Sequence, residues 1–150
     1  VYVGGNASYI QSTVRLCPPL EAGQEGTGRC ANSPTATNTN RNRPLEGQSP
    51  YILNGQVGFE EEDWGSRLTL LYNVYGKRII EVGALGSPDS YEEPFHQLDL
   101  SAKQELGGGL SLGFNAKNLL NPVARETQGS GTRSRWRKGR AFSLKLAMSF

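Results

Sequence analysis

The stretch G-R-A-F-S-L-K-L-A-M-S-F, residues 139–150, sets the reading of the whole chain. Phe142, Leu144, Leu146, Met148 and Phe150 fall on one parity, and Ser143, Lys145, Ala147 and Ser149 on the other. Successive side chains of a strand point to opposite faces, so the spacing predicts a strand with one wholly apolar face and one polar face. Two readings are open at this point: a strand of a membrane-spanning β-barrel, or an edge strand of a soluble sheet that ends on Phe.

Working outward, the same two-residue period recurs. It predicts six strands, near 1–16, 51–60, 66–82, 94–106, 110–119 and 139–150. Leu68, Leu70, Tyr72 and Val74 oppose Arg67, Thr69 and Asn73. Leu98, Leu100 and Ala102 oppose Asp99, Ser101 and Lys103, and Leu110, Leu112 and Phe114 oppose Ser111, Asn115 and Lys117. The face of the first strand is ambiguous, because Val1, Val3, Ala7 and Tyr9 lie on one parity but Ile10, Val14 and Leu16 on the other. Residues 17–50 and 121–138 read as long connections and 83–93 as a medium one, whereas 61–65 and Gly107-Gly108-Gly109 read as tight turns. Short and long connections thus alternate, as in outer-membrane barrels, where short periplasmic turns alternate with longer extracellular loops. With the carboxy terminus in the periplasm, the three longer connections, 17–50 among them, fall outside.

Composition bounds the alternatives. The chain has 150 residues, a single-domain length, and only 36% are hydrophobic, too few for a helical membrane protein. No apolar run approaches the roughly 18–20 residues that a spanning helix needs. The 19 glycines suit a β protein with many turns. A net charge of +2 gives no argument for nucleic acid. The chain opens Val-Tyr-Val as though inside a strand, and so reads as the carboxy-terminal portion of a longer protein. Cys17 and Cys30 lie in a Pro-, Gly- and Asn-rich segment without further ligands, which suits a disulfide across a surface loop better than zinc; two unpaired thiols are the alternative.

Five blocks carry a family resemblance: R-P-L-E-G-Q-S-P-Y-I-L-N (43–54), L-Y-N-V-Y-G-K-R-I (71–79), P-D-S-Y-E-E-P-F-H-Q-L-D-L (88–100), F-N-A-K-N-L-L-N-P (114–122) and W-R-K-G-R-A-F-S-L (136–144). In this order and spacing the chain resembles the carboxy-terminal barrel portion of TonB-dependent outer-membrane receptors. The resemblance implies an all-β, antiparallel transmembrane segment, the last six strands of a barrel of about 22, with a plug in its lumen. It further implies a bacterial outer-membrane location and import of a scarce ligand through a periplasmic energy-coupling protein. Implied partners are the plug and earlier strands of the same receptor or a second chain, membrane lipid and lipopolysaccharide, and the barrel-insertion machinery. That machinery would read the terminal Phe142, Leu144, Leu146, Met148 and Phe150.

Two other function classes stand beside import: a non-transporting barrel used as scaffold or surface-assembly component, and a soluble lectin-like β domain. No nucleophile–base pattern, metal-ligand spacing or cofactor motif marks an enzyme. The single histidine, His96, reads as a rim or lumen residue. Asp99, Lys103, Asn115, Lys117 and Lys145 are expected to face the lumen, toward plug or ligand. Arg125, Arg133, Arg135, Arg137 and Lys138 form a basic extracellular loop suited to lipopolysaccharide phosphates or an anionic ligand. Phe59 and Trp64 are expected in the periplasmic aromatic girdle.

Overall fold

The computed structural model describes residues 1–15 and 42–149, and in these the chain is all-β and antiparallel, without helix. The Cys17–Cys30 pairing, most of the 17–50 connection and Phe150 lie outside the described residues. Among the described residues there are twelve strands: β1 (Tyr2–Tyr9), β2 (Val14–Arg15), β3 (Asn42–Arg43), β4 (Tyr51–Glu61), β5 (Ser66–Tyr75), β6 (Arg78–Glu81), β7 (Ser90–Glu92), β8 (Phe95–Gly107), β9 (Leu110–Lys117), β10 (Val123–Gln128), β11 (Gly131–Arg137) and β12 (Ala141–Met148). Six of them, in the order β1-β4-β5-β8-β9-β12, form an up-and-down sheet in which each strand pairs with the next. The sheet does not close: β1 and β12 each have one unpaired edge among the described residues.

Both short turns lie at one end of this sheet. Gly108 and Gly109 link β8 to β9 with φ of 60° and 77°, the left-handed geometry that two-residue hairpins favour. Residues 62–65 link β4 to β5, closed by the Gly65 amide donating to the Glu62 carbonyl at 3.1 Å. The long connections all leave from the other end.

There the structure departs from the sequence reading in four places. The strand expected over 66–82 is two strands. At Gly76 the chain leaves β8, and the Tyr51 ring packs where a Cβ would stand, 2.7 Å from its nearest carbon. The Gly76 carbonyl accepts from the buried Ser49 hydroxyl at 3.0 Å, and its amide donates to the Tyr51 carbonyl at 2.9 Å. Residues 121–138, expected as a loop, contain the β10–β11 hairpin, and the 83–93 connection contains β7. These strands build a second sheet, β11-β10-β7-β6, in which β10 joins the β9–β12 connection to the β5–β8 connection. The first strand stops at Tyr9, and Val14 and Arg15 pair with Arg43 and Asn42 instead. Its ambiguous parity was a sign of that break.

Among the described residues the buried apolar side chains are Val74, Ile79, Phe95, Ala116 and Ala124, all at the long-connection end or in the second sheet. Neither face of the six-stranded sheet has a core packed against it among the described residues.

Candidate functional site

The register of the five ladders assigns every residue of the large sheet to a face. One face carries Val57, Leu68, Leu70, Leu100, Leu112, Phe114, Phe142, Leu144, Leu146 and Met148. Its only charged strand residue is Glu61, at the short-turn end, where Gln104 also lies. This apolar face is uncovered, with Leu144 71% exposed and Leu70 39%. His96 also belongs to it, at the long-connection end, where its Nδ1 is 2.6 Å from the Tyr72 hydroxyl. Phe59 sits on the same face near the short turn that holds the exposed Trp64.

The other face is polar. Asp99, Lys103, Asn115, Lys117 and Lys145 all share it, so the five residues singled out by parity lie together. They do not form one cluster. Lys103 pairs with Glu105 at 2.5 Å, and Lys117 and Lys145 form no ion pair among the described residues. Asp99 is half-buried and anchors local structure: it accepts from the Gln97 amide at 2.9 Å and from the Asn118 backbone amide at 2.8 Å. Asn118 adopts φ 57° and donates from Nδ2 to the Gly139 carbonyl, which ties the exit of β9 to the entry of β12.

A ladder of amides crosses the same face and was not anticipated from sequence. Asn6, Asn54, Asn73 and Gln97 stand opposite one another across β1, β4, β5 and β8. Asn54 Nδ2 donates to Asn6 Oδ1 at 2.8 Å, and Asn73 Nδ2 donates to Asn54 Oδ1. With Asp99, Gly4 and Gly55 these residues line an open depression of about 440 Å³. Parity from Leu53 and Leu70 puts Asn54 and Asn73 on the polar face, but only the register aligns all four. Such a surface can exchange hydrogen bonds with a polypeptide or polyol. Among the described residues no group of three or more His, Cys, Asp or Glu is placed to hold a metal ion.

Above this face, at the long-connection end, aromatic rings and cations form a column. Phe95 stacks on Tyr75, with centroids 6.1 Å apart and planes at 22°. Lys138 Nζ stands 4.2 Å above the Phe95 ring, and the Arg78 guanidinium 4.6 Å from the Tyr75 ring. The Tyr75 hydroxyl donates to Glu92 at 2.7 Å, and Arg78 pairs with the same carboxylate at 2.6 Å. Nearby, Lys77 donates to Glu93 at 2.8 Å, as does Thr127. The Lys77 hydrogen bond, helped by Thr127 and the Arg125 charge and opposed by burial, holds the Glu93 carboxyl below its usual range.

The basic residues of 121–138 therefore divide. Arg133 is spoken for, since it pairs with Glu81 and donates to Ser90 at 2.9 Å, and its guanidinium is raised further by Glu81. Lys138 belongs to the aromatic column. Arg125, Arg135 and Arg137 are exposed and have no carboxylate within ion-pair distance among the described residues. No family model, curated protein or solved structure matches this chain.

Proposed function

We propose that these residues are a six-stranded stretch of the wall of a bacterial outer-membrane barrel, the carboxy-terminal part of a TonB-dependent receptor that imports a scarce ligand. The observation that carries this reading is the separation of faces. An apolar surface six strands wide, uncharged between its ends, backs onto a face of amides, Lys and Asp. In water that surface would be a large aggregation liability; against lipid it is the expected outer face of a barrel, with the polar face toward the lumen. Short turns at one end and long, structured connections at the other support the same reading.

The family is supported by where its blocks fall. Those at 43–54, 71–79, 88–100, 114–122 and 136–144 all include the long-connection end of the sheet, and they hold the rim together. Ser49 locks Gly76, Arg43 stands 3.8 Å from the buried Asp89, and Asp99 and Asn118 link β8, β9 and Gly139. The amide ladder then offers a hydrogen-bonding surface to a lumenal plug.

Open edges on β1 and β12 cost several kcal/mol per unsatisfied backbone group in lipid, so strands outside this sheet complete the wall. The apolar residues Phe142, Leu144, Leu146 and Met148 of β12 suit recognition by insertion machinery. Fractionation of cells making the native polypeptide tests the reading. It should stay in the outer membrane through a carbonate wash and leave only with detergent; release by carbonate would refute the wall. Ligand uptake should stop when the periplasmic coupling protein is deleted. Uptake unaffected by that deletion would refute energy-coupled import and leave the scaffold.

A further inference from the structure

The second sheet has two faces with different chemistry, and contacts already described fix which is which. Glu92, Glu126, Ser134 and Ser90 share one face by register. Glu92 reaches the Tyr75 hydroxyl and Lys138 covers Phe95, and both rings belong to the polar side of the large sheet. The opposite face of the hairpin, with Arg125, Arg135 and Arg137, therefore lies on the side of the apolar surface.

On the inner face Arg78 is neutralised by Glu92 and Arg133 by Glu81. On the outer face the arrangement is unfavourable as it stands. Arg125 is directly opposite Arg135 across the ladder, and Arg137 follows two residues on, opposite the half-exposed Val123. Like charges directly opposite one another destabilise a strand pair, so the hairpin gains stability from an anion placed between them. Glu93 is near Arg125 but is already engaged by Lys77 and Thr127. Below the hairpin, Arg140 precedes Phe142 on the apolar parity and spends only Nε on the Leu119 carbonyl, at 2.8 Å. An anion seated here would sit at the upper border of the apolar surface, with Phe142 and Leu144 beneath it.

We infer that Arg125, Arg135 and Arg137 form a clasp for the phosphate groups of a membrane lipid whose acyl chains lie on the adjoining apolar face. Guanidinium forks match phosphate oxygens bidentately, and the shared border of charge and apolar surface selects an amphiphile over a free anion. The inference rests on the apolar face meeting lipid, and the test separates the two.

The native polypeptide, with the strands that complete its wall, is floated with vesicles of digalactosyl diacylglycerol, which carry no phosphate. Vesicles are also doped with phosphorylated lipid A or with its dephosphorylated form. Failure to partition into the undoped vesicles would refute the membrane reading itself. Given partition, phosphorylated lipid A should raise affinity over the dephosphorylated form. The R125S/R135S/R137S variant should lose that gain, roughly a hundredfold at about fivefold per arginine, while still entering undoped vesicles. Arg135→Gln should cost about fivefold, whereas Arg133→Gln, an equal charge change on the inner face, should cost less than twofold. Equal binding to the two lipid A forms, equal loss from the two single variants, or displacement of the lipid by an equal concentration of inorganic phosphate would overturn the clasp.

Discussion

Replacing Leu144 by Arg distinguishes a lipid-covered face from a solvated one. Leu144 is the fourth of the eight residues of β12, stands opposite Phe114 and is 71% exposed within this chain. Full burial of a leucine side chain is worth about 1.5–3 kcal/mol, so about 1–2 kcal/mol remains to be gained when lipid covers it. An arginine near the bilayer midplane adds a cost of about 2–4 kcal/mol. Together Leu144→Arg should destabilise by about 3–6 kcal/mol in lipid. The neighbouring Lys145, on the polar face, should accept Gln within about 0.5 kcal/mol. Urea unfolding in lipid vesicles, followed by tryptophan fluorescence, reads both variants. A Leu144→Arg cost below about 0.5 kcal/mol, the range of an ordinary surface change in water, would refute the face assignment.

Three further predictions follow from the geometry. Gly58→Ala puts a Cβ into the Tyr2 ring, which lies across Gly58 with its hydroxyl 2.6 Å from Thr69 Oγ1; it should cost about 1–3 kcal/mol, and much less in a Tyr2→Ala background, as a double-mutant cycle would show. Because the folded Glu93 carboxyl lies below its usual value of 4.5, its contribution is complete above that value and is lost as pH falls through the lowered folded value. An acid titration of stability should lose that component in Lys77→Met, and an unchanged acid limb would count against the Lys77–Glu93 link. Asp99→Asn should weaken the hold on the Asn118 amide by about 1–3 kcal/mol and speed its hydrogen exchange, since a neutral acceptor replaces the charged one; unchanged exchange at Asn118 would refute the anchor.

The large sheet was legible because period-two alternation is strong wherever one face is apolar. From Leu68 to Val74, and from Phe142 to Met148, nearly every second residue announces the face. The second sheet was not legible by that signal, since neither face of β10 or β11 is continuously apolar. Its hairpin had a different marker in Gly129-Ser130, a two-residue turn with Gly129 at φ 57°, flanked by alternating T-R-S-R-W-R. The five polar-face residues were found by parity alone. The amide ladder is not legible in the sequence because Asn6, Asn54, Asn73 and Gln97 are scattered along it and meet only through strand register. Splitting the basic residues into engaged and unengaged sets needed the partners Glu81, Ser90 and Phe95, which no spacing announces.

Since β10 hydrogen-bonds to both β7 and β11, the excursions after β5 and after β9 cannot open independently. Displacing one means breaking the Glu126–Glu92 and Gln128–Ser90 rungs or carrying the other along. The Lys138–Phe95–Tyr75–Arg78 column adds a second coupling at their base. Amides of Tyr91, Glu92, Thr127 and Gln128 should therefore exchange with solvent as one cooperative unit, and a load applied to either excursion is shared by both.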